Sequence, residues 1–388
     1  MQPLDEIRVI DLTRVLSGPF CTMTLADLGA EVIKIEPPSG DDTRHWGPPF
    51  IKGESTYFLS ANRSKKSVVL DLKTDIGKQA LWDLIGTADI VVENFRPETL
   101  DRLGFSWEKI HHVAPRVILV SISGYGQTGP LAASPGYDLI AQGEGGLMYV
   151  TGEPGRPPVK VGFSIADIGT GMWAVIGILS ALRNREQNGL GDHVDVSLLE
   201  TVVSWQTYHA EASLMAGEVP QPLGSAHPTI APYQSFTASD GYFNLAVGND
   251  AHWNRFCDVL DSVCETDRWY RDEAYAHNPD RVRVREALAD RLNAIFCQRP
   301  RSEWLQLFAE AGIPGGSVNT IAEALEHPQI QARALVQTIV HPTLGAMPTV
   351  KMPITFAHTE TRTPSPPPLL GADTGEVLRS LGYLPPEP

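Results

Sequence analysis

Apolar runs and helical periodicities alternate through the first half of the chain. Ile7–Asp11 and Val32–Ile35 are short, nearly continuous apolar runs, the pattern of strands buried on both faces. Between them Phe20–Leu28 has helical character, opened by Gly18-Pro19 and closed by Gly29. The unit recurs with a strand at Ser67–Leu72, a helix at Ile76–Thr87 and a strand at Asp89–Glu93. Short helices at Leu100–Gly104 and Ser106–Val113 and a strand at Arg116–Ser123 follow. Strands alternating with helices predict an α/β fold on a parallel sheet. Ligands of such sheets gather at the carboxyl ends of the strands. Arg14-Val15-Leu16-Ser17, Glu93-Asn94-Phe95-Arg96 and Gly124-Tyr125-Gly126 fall there.

The most distinctive stretch is Ser164–Leu182 (SIADIGTGMWAVIGILSAL). Asp167 precedes a predicted glycine-bearing turn, Ile168–Gly171. The run Met172–Leu182 carries no charge on any face, which predicts a helix buried all round and too short to span a bilayer. Glycine-rich loops are expected before it, at Gly143–Gly146 and Gly152–Gly155. His193–Ser197 alternates like a strand, and Leu198–Met215 returns to helix. From Gly217 the stretch GEVPQPLGSAHPTIAPYQSF reads as a long Pro- and Gly-rich connection into a smaller unit. That unit has a strand at Gly241–Gly248 and helices at Trp253–Leu260, Val282–Phe296 and Ser302–Ala311. After Thr320 come helix, strand, a Pro-rich run at Ser365–Pro368 and a terminal helix near Asp373-Thr374.

With 388 residues, two domains are the default. A net charge of −15 argues against nucleic acid as a partner, since phosphate backbones require a basic surface. Four scattered cysteines without metal-ligand spacing, and an N-terminus without basic and apolar signal regions, lead us to expect a cytoplasmic protein with no metal site. No membrane association is expected. The Gly-x-Gly-x-x-Gly turn of dinucleotide sites is missing, because only Gly18 stands in the first loop.

Two chemistries remain open at Asp167. As a preferred cap residue it would close the amino end of the helix; as a desolvated carboxylate among spare N–H groups it would act as a nucleophile. The basic residues Lys65, Lys66, Lys73, Arg96 and Arg102 lie in or near turns of one sheet and would suit a polyphosphate.

Read together, VIDLTRVLSGPFCTMTLADLGAEVIKIE, NRSKKSVVLDLKT, VENFRPETLDRLG, SISGYGQTGP, GYDLIAQGEGG, ADIGTGMWAVIGIL and PPPLLGADT resemble the family III (CaiB/BaiF) CoA-transferases, the group that includes formyl-CoA transferase. The pattern is nearest the branch acting on short dicarboxylates. The resemblance implies a Rossmann-like large domain built, sheet included, from both chain ends (1–215 and 326–388), with a smaller α+β domain at 216–325, in an interlocked homodimer. It implies no permanently bound cofactor, with a coenzyme A thioester and a free carboxylic acid as substrates. It places the nucleophilic aspartate on Asp167 and CoA contacts on Val15, Leu16, Leu70, Lys73, Asn94, Phe95, Arg102 and Leu103. An active-site tyrosine falls on Tyr137, and a loop covering the site on Gly224–Ile230. Leu16 and Pro37 depart from formyl-CoA transferase, where a glutamine and an arginine stand. This points away from formyl or oxalyl groups and toward Lys65, Lys66, Arg96 or Arg102 as phosphate ligands. Arg14 or Arg44 is expected to pair with the distal carboxylate of a short dicarboxylate, with succinyl-CoA as donor. The fold also hosts α-methylacyl-CoA racemases, whose proton-transfer histidine is replaced here by Tyr137, a poor base near neutral pH. A CoA-binding protein without turnover is the third alternative, and would not need an intact Asp167.

Overall fold

The computed structural model describes residues 2–264 and 267–383. Its chain divides into two compact units: Met1–Met148, Lys160–Glu218 and Gln329–Pro388 form the larger, and Tyr149–Val159 and Val219–Pro328 the smaller.

Six parallel strands run through the larger unit: β1 (Arg8–Asp11), β2 (Glu31–Glu36), β3 (Lys65–Val69), β4 (Ile90–Glu93), β5 (Ile118–Ser123) and β6 (His193–Ser197). They lie in the order β3-β2-β1-β4-β5-β6, so the direction of winding reverses between β1 and β4. Successive residues along each strand enter opposite cores. Val9, Val32, Ile90, Val92, Ile118 and Val120 pack under α1 (Ser17–Asp27) and a long later helix. Ile10, Ile33, Val91 and Leu119 pack under α2 (Asp75–Ile85), α3 (Thr99–Leu103) and α4 (Trp107–Val113). Double-sided burial is why these strands are apolar throughout rather than alternating.

The sequence and the structure part company in several places. Gly143–Gly146 is no loop: α5 spans Asp138–Glu144, and Gly145 is its C-cap. The segment around Asp167 is α6, Ile165–Asn188, a helix of 24 residues that absorbs the expected turn. Its glycines serve close packing instead. A Cβ on Gly169 would meet the Trp205 ring at 2.0 Å, and one on Gly171 the Ser17 carbonyl oxygen of α1 at 2.6 Å. By length and hydropathy α6 could cross a membrane, yet Ala166, Ala174, Ile178 and Leu182 lie in the sheet's core. Nor is it buried all round, since Met172, Trp173, Ile176 and Leu179 form an exposed apolar stripe. The expected helix Leu198–Met215 is two, α7 (Leu198–Ser204) and α8 (Thr207–Ala216).

The carboxyl-terminal segment contributes no strand to the six-stranded sheet, so the expectation of a sheet built from both chain ends is corrected. It covers an edge. Asp373 and Thr374 accept from the Ser67 and Val69 N–H groups of β3 at 2.8 and 3.0 Å, satisfying donors that an edge strand would leave open. The smaller unit holds the antiparallel strands β7 (Tyr233–Ala238), β8 (Gly241–Ala246) and β9 (Gly315–Ser317). Its core is aromatic: Phe236, Phe243, Phe256, Phe296, Trp304 and Phe308 are all fully buried. The end of the expected connection is therefore a strand, β7.

A buried ionic cluster ties the carboxyl end of β1 to β2 and β3. Lys65 Nζ donates to Asp11 Oδ2 at 3.0 Å, both side chains 0% exposed, and also to Pro19 O and Asn62 Oδ1. Lys34 Nζ bonds Asp41 at 2.9 Å and the Thr13 carbonyl at 2.7 Å. Burial pushes the Asp11 carboxyl up, but Lys65 and Lys34 more than offset it and hold it at about 2. Replacing Lys65 by Met removes one charge of a buried set, which costs roughly 3–5 kcal/mol where the partner stays charged. We expect Lys65→Met to lower the denaturation midpoint accordingly, and Asp11→Asn/Lys65→Met to cost less than the sum of the single changes. Additive losses in chemical denaturation would contradict this.

Candidate active site

The point where winding reverses leaves a crevice beyond β1 and β4, the place where doubly wound sheets bind ligands. A cleft of about 150 Å³ opens there, lined among others by Arg14, Val15, Trp46, Asn94, Tyr137 and Asp167.

Its first wall is the turn from β1 into α1. Val15 adopts φ +70°, a left-handed conformation costly for a β-branched residue, so neighbours must impose it. They do so on both sides. The Arg14 N–H donates to Asn94 Oδ1 at 2.9 Å, and Asn94 Nδ2 returns a bond to the Arg14 carbonyl at 2.7 Å. Asp11 Oδ1 accepts from the N–H and hydroxyl of Thr13 at 2.8 and 2.5 Å. The second wall, after β4, is set by Glu93, whose carboxyl accepts from the Phe95 N–H at 2.7 Å. Burial pushes Glu93 up to about 7, against the pull of Ser121 and the Phe95 N–H.

Asp167 stands in the first turn of α6, and it is not the cap. Asp138, at the start of α5, reaches across so that its Oδ1 accepts from the Ala166 N–H at 2.8 Å and the Asp167 N–H at 3.4 Å. Gln142 Nε2 holds the other Asp138 oxygen at 2.6 Å. The Asp167 carboxyl is thereby released toward the cleft. Burial raises it from the usual carboxylate range to about 7, repulsion from Asp138 adds to this, and a hydrogen bond from Ser17 opposes it. The close approach that Gly171 allows is what brings the Ser17 end of α1 to α6.

Of the residues singled out in the sequence, Arg14, Val15, Asn94, Phe95, Arg96, Tyr137 and Asp167 line this one cleft. Leu16 instead forms the amino cap position of α1, without a side-chain bond to it. Leu70 and Lys73 follow the carboxyl end of β3, Leu70 buried in the core and Lys73 in a turn bonded through its N–H to Asp71. Arg102 is exposed on α3, bonded to Thr99, and Leu103 packs beside it against the core. Lys65 and Lys66 are corrected as phosphate ligands. They open β3 at the amino end of the sheet, Lys65 consumed by Asp11 and Lys66 by Glu31 and Glu376. Arg44 is corrected as well: its Nε and Nη2 grip Glu36 at 2.7 and 2.6 Å, and its plane lies over Phe58.

The loop Gly224–Ile230 belongs to the smaller unit. It is tied there by Arg285, which donates to the His227 and Pro228 carbonyls at 2.9 and 2.7 Å, and by Asn278, which donates to Thr229. Sequence reasoning placed Ser17 at the ligand end of the sheet without a role, and gave none to Asp42, Trp46, Tyr57 or Asp138. Burial pushes the Tyr57 phenol up to about 12, helped by Asp167, Asp138 and Asp41, and its ring meets Trp46 edge-on at 5.2 Å. The one readable signal was the acid following Tyr137, which sits where a helix begins. Among the described residues, no three His, Cys, Asp or Glu side chains gather in a metal-binding arrangement.

Comparison with known proteins agrees with this geometry. The profile of "CoA-transferase family III" matches residues 4–374. A succinyl-CoA:glutarate CoA-transferase of Mus musculus is 40% identical over 98% of this chain and 87% of its own. A succinate–glutarate CoA-transferase of Agrobacterium fabrum is 39% identical over 98% and 96%. The crystal structure of a CaiB/BaiF family protein from Brucella suis superposes with a TM-score of 0.89 at 39% identity, covering 98% of this chain and 99% of that one. The sheet, the crevice and these matches together make this chain a member of the family III CoA-transferases.

Proposed function

We propose that this enzyme moves CoA from succinyl-CoA to a short dicarboxylic acid such as glutarate, with Asp167 as the nucleophile. The substrate pair follows the relatives' names and the departure at Leu16. The observation that carries the role of Asp167 is that Asp138 caps α6 in its place, leaving a desolvated carboxyl in the crevice of the sheet.

Transfer would run in four exchanges. An Asp167 oxygen attacks the thioester carbonyl, CoA leaves as thiolate, and an acyl-aspartyl anhydride remains. The thiolate attacks the Asp167 carbonyl carbon, releasing the donor acid and leaving an aspartyl-CoA thioester. The acceptor carboxylate then displaces the thiolate to form a second anhydride. Thiolate attack on the acceptor's carbonyl finally yields the new thioester and frees Asp167. Desolvation strengthens a nucleophile that water would blunt and protects both anhydrides from hydrolysis. Val15, Asn94, Phe95 and Tyr137 would hold the thioester end of CoA along the cleft, with Leu16, Leu70, Lys73, Arg102 and Leu103 toward the nucleotide. A homodimer would cover the exposed stripe Met172, Trp173, Ile176 and Leu179.

Asp167→Asn should abolish transfer by far more than the roughly 100–1,000-fold lost with one oriented hydrogen bond. Incubation with acyl-CoA and no acceptor should leave a CoA-sized mass on the Asp167 peptide of the wild type alone. An active Asp167→Asn enzyme, checked for deamidation, ends the covalent mechanism.

The raised carboxyl adds two pH signatures. Because the ionised form attacks, kcat/KM should fall about tenfold per unit as pH drops below about 7 and level off above it. Between the unfolded value of 3.8 and about 7, the folded state binds more protons, so stability declines as pH rises through that window. Asp167→Asn should therefore raise Tm at pH 8 more than at pH 5. Equal gains at both would show that Asp167 is not under this strain.

For the dimer, Ile176→Glu should convert a dimer seen by sedimentation into monomer or aggregate. A soluble wild-type monomer at micromolar concentration would rule the dimer out.

A further inference from the structure

The geometry points to Arg14 as the side chain that receives the distal carboxylate of the acyl group, in exchange for its weak pairing with Asp42. This rests on the reading of the cleft as the site of CoA transfer. Three arginines come into question around the crevice: Arg14, Arg44 and Arg96. Arg44 is already held by a two-pronged pair: its guanidinium is shared between both oxygens of the buried Glu36 and the Pro368 carbonyl. Arg96 lines the cleft but also faces a neighbouring acidic hollow that holds Glu98, Asp101 and Glu108.

Arg14 differs from both. Its side chain lines the same cleft as Asp167, and its partner is a single oxygen of Asp42 at 3.3 Å, with the two side chains 54% and 58% exposed. A one-pronged, solvated ion pair of this kind is worth about 0–1 kcal/mol. A carboxylate that meets the planar guanidinium with both oxygens makes two parallel charge-assisted bonds and displaces it.

Both members of the pair are held in register by the buried ionic cluster. The Arg14 backbone is clamped by Asn94, and its neighbour Thr13 is bonded through its carbonyl to Lys34. Asp42 opens the short turn Asp42–His45, whose cap is Asp41, the ion partner of that same Lys34. One buried lysine therefore places the receptor and its stand-in ligand together. An acyl group without a distal charge leaves the Arg14–Asp42 pair intact and gains nothing from it. A dicarboxylic acyl group exchanges a weak partner for a strong one. Since donor and acceptor acids occupy the cleft in turn, both should be selected by the same side chain.

The test compares two ratios of kcat/KM, succinyl-CoA against acetyl-CoA as donor and glutarate against butyrate as acceptor. Arg14→Gln should lower both ratios together by roughly 10–100-fold, the range for losing hydrogen bonds to a charged group. Arg14→Lys should recover part of the loss, and Asp42→Asn should raise both ratios severalfold by freeing the guanidinium. Should Arg14→Gln fail to fold, the Lys and Asn variants carry the same comparison. An equal loss for all CoA thioesters with unchanged ratios would mean that Arg14 binds CoA itself and would overturn the inference. So would a shift of the ratios by Arg96→Gln and not by Arg14→Gln. A wild-type enzyme that transfers normally but shows no preference for dicarboxylates sinks the substrate reading itself, and a transfer-competent Asp167→Asn enzyme sinks the mechanism, so the failures are told apart.

Discussion

The whole crevice depends on four charges kept out of water. Asp11 at the carboxyl end of β1, Lys34 within β2, Lys65 at the start of β3 and Asp41 beyond β2 meet there, each side chain 0–1% exposed. A buried pair of this kind is a poor source of stability, because its attraction barely recovers the loss of hydration. What it supplies here is position. Asp11 fixes Thr13, Lys34 fixes the Thr13 carbonyl, and Lys65 fixes the Pro19 carbonyl inside α1. The turn between strand and helix is tied at both ends before any substrate arrives. Only so constrained a turn can hold Val15 at positive φ, where the residue has no local reason to be.

A second constraint is the division of labour between two carboxylates. Helix amino ends favour negative charge, and a single acid in the first turn of α6 would ordinarily be spent on capping. Asp138 arrives from another helix and takes that duty. Asp167 is then left with the costs of its place, namely burial and a like charge nearby, and with only Ser17 to relieve them. A carboxylate destabilised in its charged form is a better nucleophile than one comfortably solvated or bonded. The capping bond and the raised carboxyl are two results of one arrangement.

The element order, the parallel sheet and most strand positions were legible in the sequence because double-sided burial leaves continuous apolar runs, and periodicity reports burial directly. Val9 and Ile10, in opposite cores, are adjacent in the chain and equally apolar. Legibility ended where a residue's role depends on a partner distant in sequence. Gly169 and Gly171 resembled a turn because glycine signals chain reversal as readily as close packing, and only Trp205 and Ser17 decide between them. Lys65 and Arg44 resembled phosphate or carboxylate ligands because composition cannot tell a free cation from one already spent on Asp11 or Glu36.

The sequence by itself therefore determined the α/β architecture, the acidic net charge, the crevice-forming segments and, through its resemblance, the family. Tertiary structure alone decided that α6 runs unbroken through its glycines and that Asp138 caps it. It also decided that the chain's last segment covers an edge rather than adding a strand, and that Arg14, not Arg44, keeps its donors available. The physical reason is the same throughout. Apolar burial is written locally, residue by residue, whereas capping, charge pairing and backbone approach exist only once remote segments have met.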